Sequence, residues 1–416
     1  MPSAPVVDDR PRPPRVAIVG GSMAGLFAAV LLQRAGFDVM LFERSEGELA
    51  SRGAGIATHD ELYAAFAQAG IALNAAMGVV SLGRVTFDRE GSAIGSLPMR
   101  QIMTSWGLMY RFLRAQCADT RYVGGASVVD LTQSARGVTL HFADGRTHEA
   151  DWAIAADGLR STLRNCLLPG VGLDYGGYVA WRGLAAEGEL PRGLRDELDA
   201  RMAFCLPPGE QMLGYFVAGP EDSLVRGERW YNWVWYRPAP AQDALPDLLT
   251  DTHGTLHAQG IPPPLLRESH VEAMRDAAAR LLCPQFRRVI DATPRPFIQP
   301  IWDLCAPRFV LGRVILIGDA ACTARPHIGL GVSKAADDAA RLAEAFTAPD
   351  RAAALAAWER DRLGFARAAR EQSRRLGSYI GPLRNPALAA YYGQPAQVMA
   401  QVAAAHPRQY LELLDV

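Results

Sequence analysis

The sequence predicts an α/β protein in which a parallel-sheet domain is interrupted by a mixed-sheet domain and followed by a helical segment. Three observations predict it. A strand, a small-residue turn, a helix and a second strand follow one another over residues 16–43. Two more strand-to-helix turns stand far downstream, at Asp157-Gly158 and at Gly318-Asp319. Between those two, four short strand-like stretches are separated by Pro/Gly turns.

At 416 residues the chain exceeds what one small core supports, so two domains and an appendage are expected. Half of it is apolar, and the formal charge of −1 excludes a general pull toward nucleic acid or anionic lipid. The opening "MPSAPVVDDRPRPPR" has no apolar stretch of the signal-peptide kind, and residues 1–14 read as a disordered tail. No apolar run is long enough to span a membrane. Six cysteines form neither a CxxC pair nor a Cys/His cluster, so no metal site and a reduced, cytoplasmic compartment are expected.

The first element, "VAIVG", is a β-branched strand that passes into "GSMAGLFAAVLLQRAG", a turn and a helix ending at Gly36. The strand "DVMLFER" then closes a βαβ unit of Rossmann type. Gly20, Ser22, Met23, Ala24 and Gly25 form the turn, with serine where the usual pattern has its middle glycine. Glu43, about twenty residues on, is placed to accept ribose hydroxyls, with Arg44 beside it. A plain βαβ unit without nucleotide is the competing reading. "GVTLHFADGRTHEADWAIAADGLRSTLR" follows as a hairpin, a strand ending at Asp157 and a helix start. The third turn, "VILIGDAACTARPHIGLGVSKAADDA" (314–339), is a buried strand, a glycine-bearing loop and a helix.

Together, Gly20…Gly25…Glu43, Asp157-Gly158 and Gly318-Asp319…Pro326…Gly331 resemble the single-component flavin-dependent aromatic hydroxylases, the p-hydroxybenzoate hydroxylase type. The likeness covers roughly residues 15 to 345. In "GGSMAG", "GYVAWRG" and "GDAACTARPH" it most resembles the dihydroxypyridine hydroxylase branch. The resemblance implies FAD threaded across all three turns. Asp319 would hold the ribityl chain, and the helix start at Gly331, Val332 and Ser333, after Gly329, would meet the flavin pyrimidine edge. Helix N-terminal N–H groups favour negative charge there. The family commonly has asparagine where Ser333 stands. Asp157 in the middle turn, Arg52 beside the flavin ring and Arg111 in "MYRFLR" complete the implied cofactor contacts, although a lone arginine is most often a solvated charge.

The implied domain plan is a FAD-binding domain at 15–171 and 276–345, a substrate domain at 172–275 with 76–100 as a candidate addition, and a helical region at 346–416 serving as a cap or a homodimer contact. The implied reaction is hydroxylation of a hydroxylated pyridine-type ring by O2 and NADH or NADPH, through a flavin C4a-hydroperoxide, with or without loss of a carboxylate. A phenol- or salicylate-type hydroxylase and a non-oxygenating FAD reductase are the alternatives. "WVWYRP" (233–238) is close to a halogenase motif, but the sole lysine, Lys334, follows the flavin loop instead of standing well upstream. The stretch reads better as a strand of alternating aromatics. Trp181, Tyr215 and Trp235 are the aromatic candidates for a flat substrate, and Arg182 and Arg325 for a substrate carboxylate. Pro326 matches a family proline whose carbonyl faces the substrate hydroxyl. His327, a near-neutral titrating group next to it, is the candidate proton acceptor, against a structural role in holding the loop; Tyr215 is a candidate hydroxyl relay.

Overall fold

The structure is a computed structural model that describes residues 13–47, 49, 55–71, 77–117, 121–380 and 385–404. Arg52 and nearly all of the proline-rich opening lie outside the described residues. The first sheet has six strands, in the order Val310–Leu311, Val314–Leu316, Trp152–Ala155, Arg15–Val19, Asp38–Phe42 and Arg121–Val123. All pair in parallel except the first two, which form an edge hairpin. The helix Met23–Arg34 is apolar nearly all round because it is covered on both sides. One side meets the sheet, and the other meets the helix Gly331–Thr347 from the opposite end of the chain. The third turn is thereby brought beside the first. A three-stranded antiparallel sheet, Val128–Gln133, Val138–Phe142 and Thr147–Ala150, hangs from this domain.

The second sheet has nine strands and runs from Cys322–Thr323 through Phe297–Cys305, Asp174–Ala186, Trp230–Pro238, Gln211–Val217 and Arg201–Cys205 to Val79–Phe87, Ala93–Ser105 and Gly55–Ala57. It is mixed because Arg201–Cys205 runs parallel to Val79–Phe87 while the other pairs are antiparallel. The segment 76–100 therefore contributes strands to this sheet. The expected return to the first domain at 276 is corrected: Phe297–Cys305 is a sheet strand, and the helices Glu268–Leu281 and Pro284–Asp291 share one buried core with its rear face. The helices Arg351–Leu376, Pro386–Tyr392 and Pro395–Gln401 follow. Among the described residues, no helix is long and apolar enough to cross a membrane.

Strand pleating splits the second sheet into two unlike faces. Side chains alternate sides along a strand, so neighbours in sequence go to opposite faces. Trp181, Trp233 and Trp235 all point to the rear and are at most 3% exposed. Tyr178, Tyr215, Val234 and Tyr236 form the front cluster. The expected role of Trp181 and Trp235 in holding substrate is overturned by this phase: both are core residues behind the sheet.

Candidate active site

Two clefts of about 380 and 360 Å³ meet at Trp106, which lines both. The first lies over the parallel sheet. Gly20 adopts a φ of +108°, and a side chain there would collide with the Ala156 carbonyl. At Gly25 a Cβ would run into the Gly20 carbonyl, so glycine is what lets the helix begin so close to the strand. Glu43 is buried, with one oxygen accepting from Gly21 N at 2.7 Å and the other from Ser45 N at 2.9 Å. Its carboxylate is fixed at the cleft wall beside Ser22 and Arg44. The side chains of Met23 and Ala24 are buried in the core, leaving only their backbone toward the turn. Asp157 caps the helix Thr162–Leu167 through Oδ2, at 2.7 Å from Thr162 N, while its buried Oδ1 has no partner among the described residues.

The second cleft lies between the front of the nine-stranded sheet and the third turn. Asp319 is exposed into it, and desolvation by the surrounding protein raises its carboxyl pKa against the pull of Lys334. Gly331 and Val332 line it too. At this helix start the N–H groups of residues 331–333 have no helical acceptor. The Ser333 side chain points elsewhere, 3.3 Å from Nδ1 of His59. A dinucleotide fits these features: a glycine-tight turn, a fixed carboxylate and an orphaned Asp157 oxygen in one cleft, and an exposed Asp319 and open N–H groups in the cleft that adjoins it at Trp106. Arg111 lines neither cleft; its Nε donates to Asp222 at 2.8 Å.

Tyr215, Tyr236, Arg182 and Arg325 all reach this cavity, among the apolar walls Met202, Leu213, Val234 and Ile301. Burial pushes the Tyr215 hydroxyl up to about 12, partly offset by Arg182 and Arg84. Arg325 donates to Asp303 at 2.8 Å, and Lys334 to Asp338 at 3.0 Å. Arg182 differs. Its Nη1 donates only to the neutral Gln299, at 2.8 Å, and its buried Nε has no partner among the described residues.

Pro326 lines the cavity, but its carbonyl already accepts from Gly329 N at 2.9 Å. His327 does not line it. The ring is 0% exposed, turned between Tyr236 and Tyr178, with Nε2 sharing a 2.7 Å hydrogen bond with the Tyr178 hydroxyl. Burial, aided by Arg325, lowers its pKa to about 3. The expectation that His327 takes a proton from the substrate is corrected: a neutral, enclosed imidazole behind the loop holds the loop.

Several residues at the site were missed from sequence. Trp106 stacks on Tyr110 at the junction of the clefts. Asn232, fully buried, accepts from Gly55 N at 2.9 Å and ties a short edge strand to the sheet front. Arg84 is buried without a carboxylate partner among the described residues. It donates instead to the carbonyls of Met399 (2.9 Å), Val402 and Ala403 (3.2 Å) and to Gln101 (2.9 Å), and burial lowers its pKa to about 10. Val402 and Ala403 form part of the cavity wall, and Ala403 N donates to the His327 carbonyl at 2.8 Å. Of these, only Asn232 carried a sequence signal, as the one amide in an aromatic strand.

Residues 14–177 and 295–373 match the family described as FAD binding domain, and 175–303 match FAD binding domain-like. The chain is 34% identical over 359 residues to 2,6-dihydroxypyridine 3-monooxygenase of Paenarthrobacter nicotinovorans, covering 85% of this chain and 88% of that protein. It is 27% identical to 6-hydroxynicotinate 3-monooxygenase of Pseudomonas fluorescens, over 79% and 82% of the two chains. The solved structure of 2,6-dihydroxypyridine-3-hydroxylase from Arthrobacter nicotinovorans superimposes with a TM-score of 0.84 at 32% identity, covering 90% of this chain and 94% of that one. With its turns, trough and cavity in this arrangement, the chain belongs to the FAD binding domain family and is a flavin-dependent aromatic monooxygenase.

Proposed function

We propose that this monooxygenase hydroxylates a hydroxylated pyridine-type ring bound as an anion, with NADH or NADPH as reductant and O2 as oxygen source. The observation that carries this reading is the charge in the cavity. Arg325 and Lys334 are each ion-paired with a buried aspartate, whereas Arg182 faces the cavity with no anion beside it among the described residues. A part-buried cation without a counter-charge is costly, and an anionic ligand removes that cost. Similarity to enzymes named for dihydroxypyridine and hydroxynicotinate supports the ring class.

FAD, when bound, supplies the passage of electrons from NAD(P)H to O2 and the activation of O2 for transfer of one oxygen atom. Gly20, Ser22, Gly25 and Glu43 would hold its adenosine and pyrophosphate end. Asp319 would take the ribityl hydroxyls, and the N–H groups of residues 331–333 the pyrimidine edge. Arg182 orients the ring through its anionic substituent. Tyr215 stays protonated at working pH, so it donates a hydrogen bond to a ring oxygen and does not act as a base. Met202, Leu213, Val234 and Val402 keep water from the reacting centre.

The test is a substrate panel on FAD-loaded protein, with O2 uptake and product formation followed for 2,6-dihydroxypyridine, 6-hydroxynicotinate and salicylate. Hydroxylated pyridine products formed with O2 uptake are expected, and CO2 release with the hydroxynicotinate reports loss of the carboxylate. Turnover of salicylate alone reassigns the ring class. NAD(P)H oxidation without a hydroxylated product from any ring overturns the reading.

A further inference from the structure

The edge strand Cys322–Thr323 pairs antiparallel with the end of Phe297–Cys305, and the register sets Cys305 directly opposite Cys322. One step along the ladder, Ala306 N donates to the Ala321 carbonyl at 2.9 Å. Hydrogen-bonded and non-hydrogen-bonded pairs alternate in an antiparallel ladder, so Cys305 and Cys322 form a non-hydrogen-bonded pair. There the Cα atoms are about 4.5 Å apart and the side chains share one face, a separation within the range a disulfide spans. Neither thiol is oxidised in this structure.

The two thiols differ in a way that suits sequential chemistry. Cys305 is half-buried and open enough for a small neutral oxidant, while Cys322 is fully enclosed behind it. The contact with Cys322, aided by Lys334, Arg370 and Arg367, lowers the Cys305 pKa to about 7 despite burial. Two other sites serve as internal comparisons. Cys166 is exposed, but burial of its sulfur and Asp130 raise its pKa. Cys205 and Cys283 also contact each other, yet both are buried.

We propose that Cys305 and Cys322 are a peroxide-oxidisable dithiol, a modification site that staples the substrate sheet to the segment following Asp319. The oxidant is hydrogen peroxide. The Cys305 thiolate attacks one peroxide oxygen, the O–O bond breaks, and a sulfenic acid and water form once the leaving hydroxide takes a proton. The Cys322 sulfur then attacks the sulfenic sulfur, the S–S bond forms, and a second water leaves with the thiol proton. Overall, two thiols and one peroxide give one disulfide and two waters. The link joins Phe297–Cys305, which carries the cavity residues Gln299–Trp302, to the loop that carries Thr323–Pro326.

The experiment treats FAD-loaded protein with graded hydrogen peroxide, blocks the remaining thiols with an alkylating reagent, and maps the cysteine peptides by mass spectrometry before and after reduction. Expected are a Cys305–Cys322 linked peptide lighter by two hydrogens, its disappearance on reduction, and unmodified Cys166, Cys205 and Cys283 at the same dose. In Cys322→Ala the expected product is sulfenic or sulfinic acid at Cys305. Wild-type protein in which Cys305 reaches sulfinic acid while Cys322 is still alkylated, or in which Cys166 reacts first, overturns the proposal.

Discussion

The two faces of the nine-stranded sheet are built from the same strands and do opposite work. Its rear carries Trp181, Trp233 and Trp235 against two helices, closed to solvent. Its front carries Arg182, Tyr215 and Tyr236, with a cation lacking its counter-charge and hydroxyls held at the cavity. Neighbours such as Trp181 and Arg182 thus go to opposite sides, one into the closed core and the other into the cavity. Water is excluded on all sides at the rear, whereas at the front a polar group is left incompletely satisfied.

Substitutions on each face can break that division. Trp235→Ala is expected to destabilise the protein by about 3–5 kcal/mol through lost burial and a residual cavity. Chemical denaturation would measure it, and kcat/KM of the folded fraction should stay within about twofold, since the indole is remote from the reacting centre. Arg182→Gln should do the reverse. Losing a charge-assisted contact of about 2–3 kcal/mol lowers kcat/KM about 30- to 150-fold, mostly in KM, with an unchanged melting temperature. Arg182→Lys should recover part of it in steady-state kinetics.

His327 sharpens the comparison because it sits beside the front face but is packed like the rear. Its folded pKa of about 3 lies below the ordinary value near 6.5, so at low pH the unfolded chain binds a proton that the folded one refuses. Its share of stability is complete above pH 6.5 and is lost as pH falls toward 3. Between pH 7.5 and 5, the stability gap between wild type and His327→Gln should narrow by about 2 kcal/mol in urea denaturation. A gap that is flat with pH would put the imidazole in contact with water. The smallest effect is expected for Tyr215→Phe, which removes one hydroxyl worth about 1 kcal/mol and lowers kcat about five- to tenfold without altering stability.

The first turn and its acid were legible because their signals are local. A glycine that must clear a carbonyl, and an acid at the tip of the next strand, are set by geometry within one βαβ unit. The third turn was legible for the same reason, although its seat beside the first depends on how Gly331–Thr347 meets Met23–Arg34. The substrate face was not, because "RWYNWVWYRP" has aromatic residues in both phases and gives no hint which phase looks inward. Asn232 was the usable clue: an amide in one phase marks the side where backbone from elsewhere must be held. His327 was misplaced because sequence adjacency to Pro326 says nothing about side-chain direction in a 3₁₀ turn. Arg84 was invisible, since its carbonyl partners come from more than three hundred residues away.

The Arg84 clamp bears on the order in which the enzyme becomes competent. Residues 399–403 leave the ribosome after all the other described residues of the cavity, so a nascent chain has its trough complete while one flank of the reaction chamber is still missing. Loading of the flavin can precede sealing, and residues 399–403 both give a stranded guanidinium its acceptors and close that flank of the chamber.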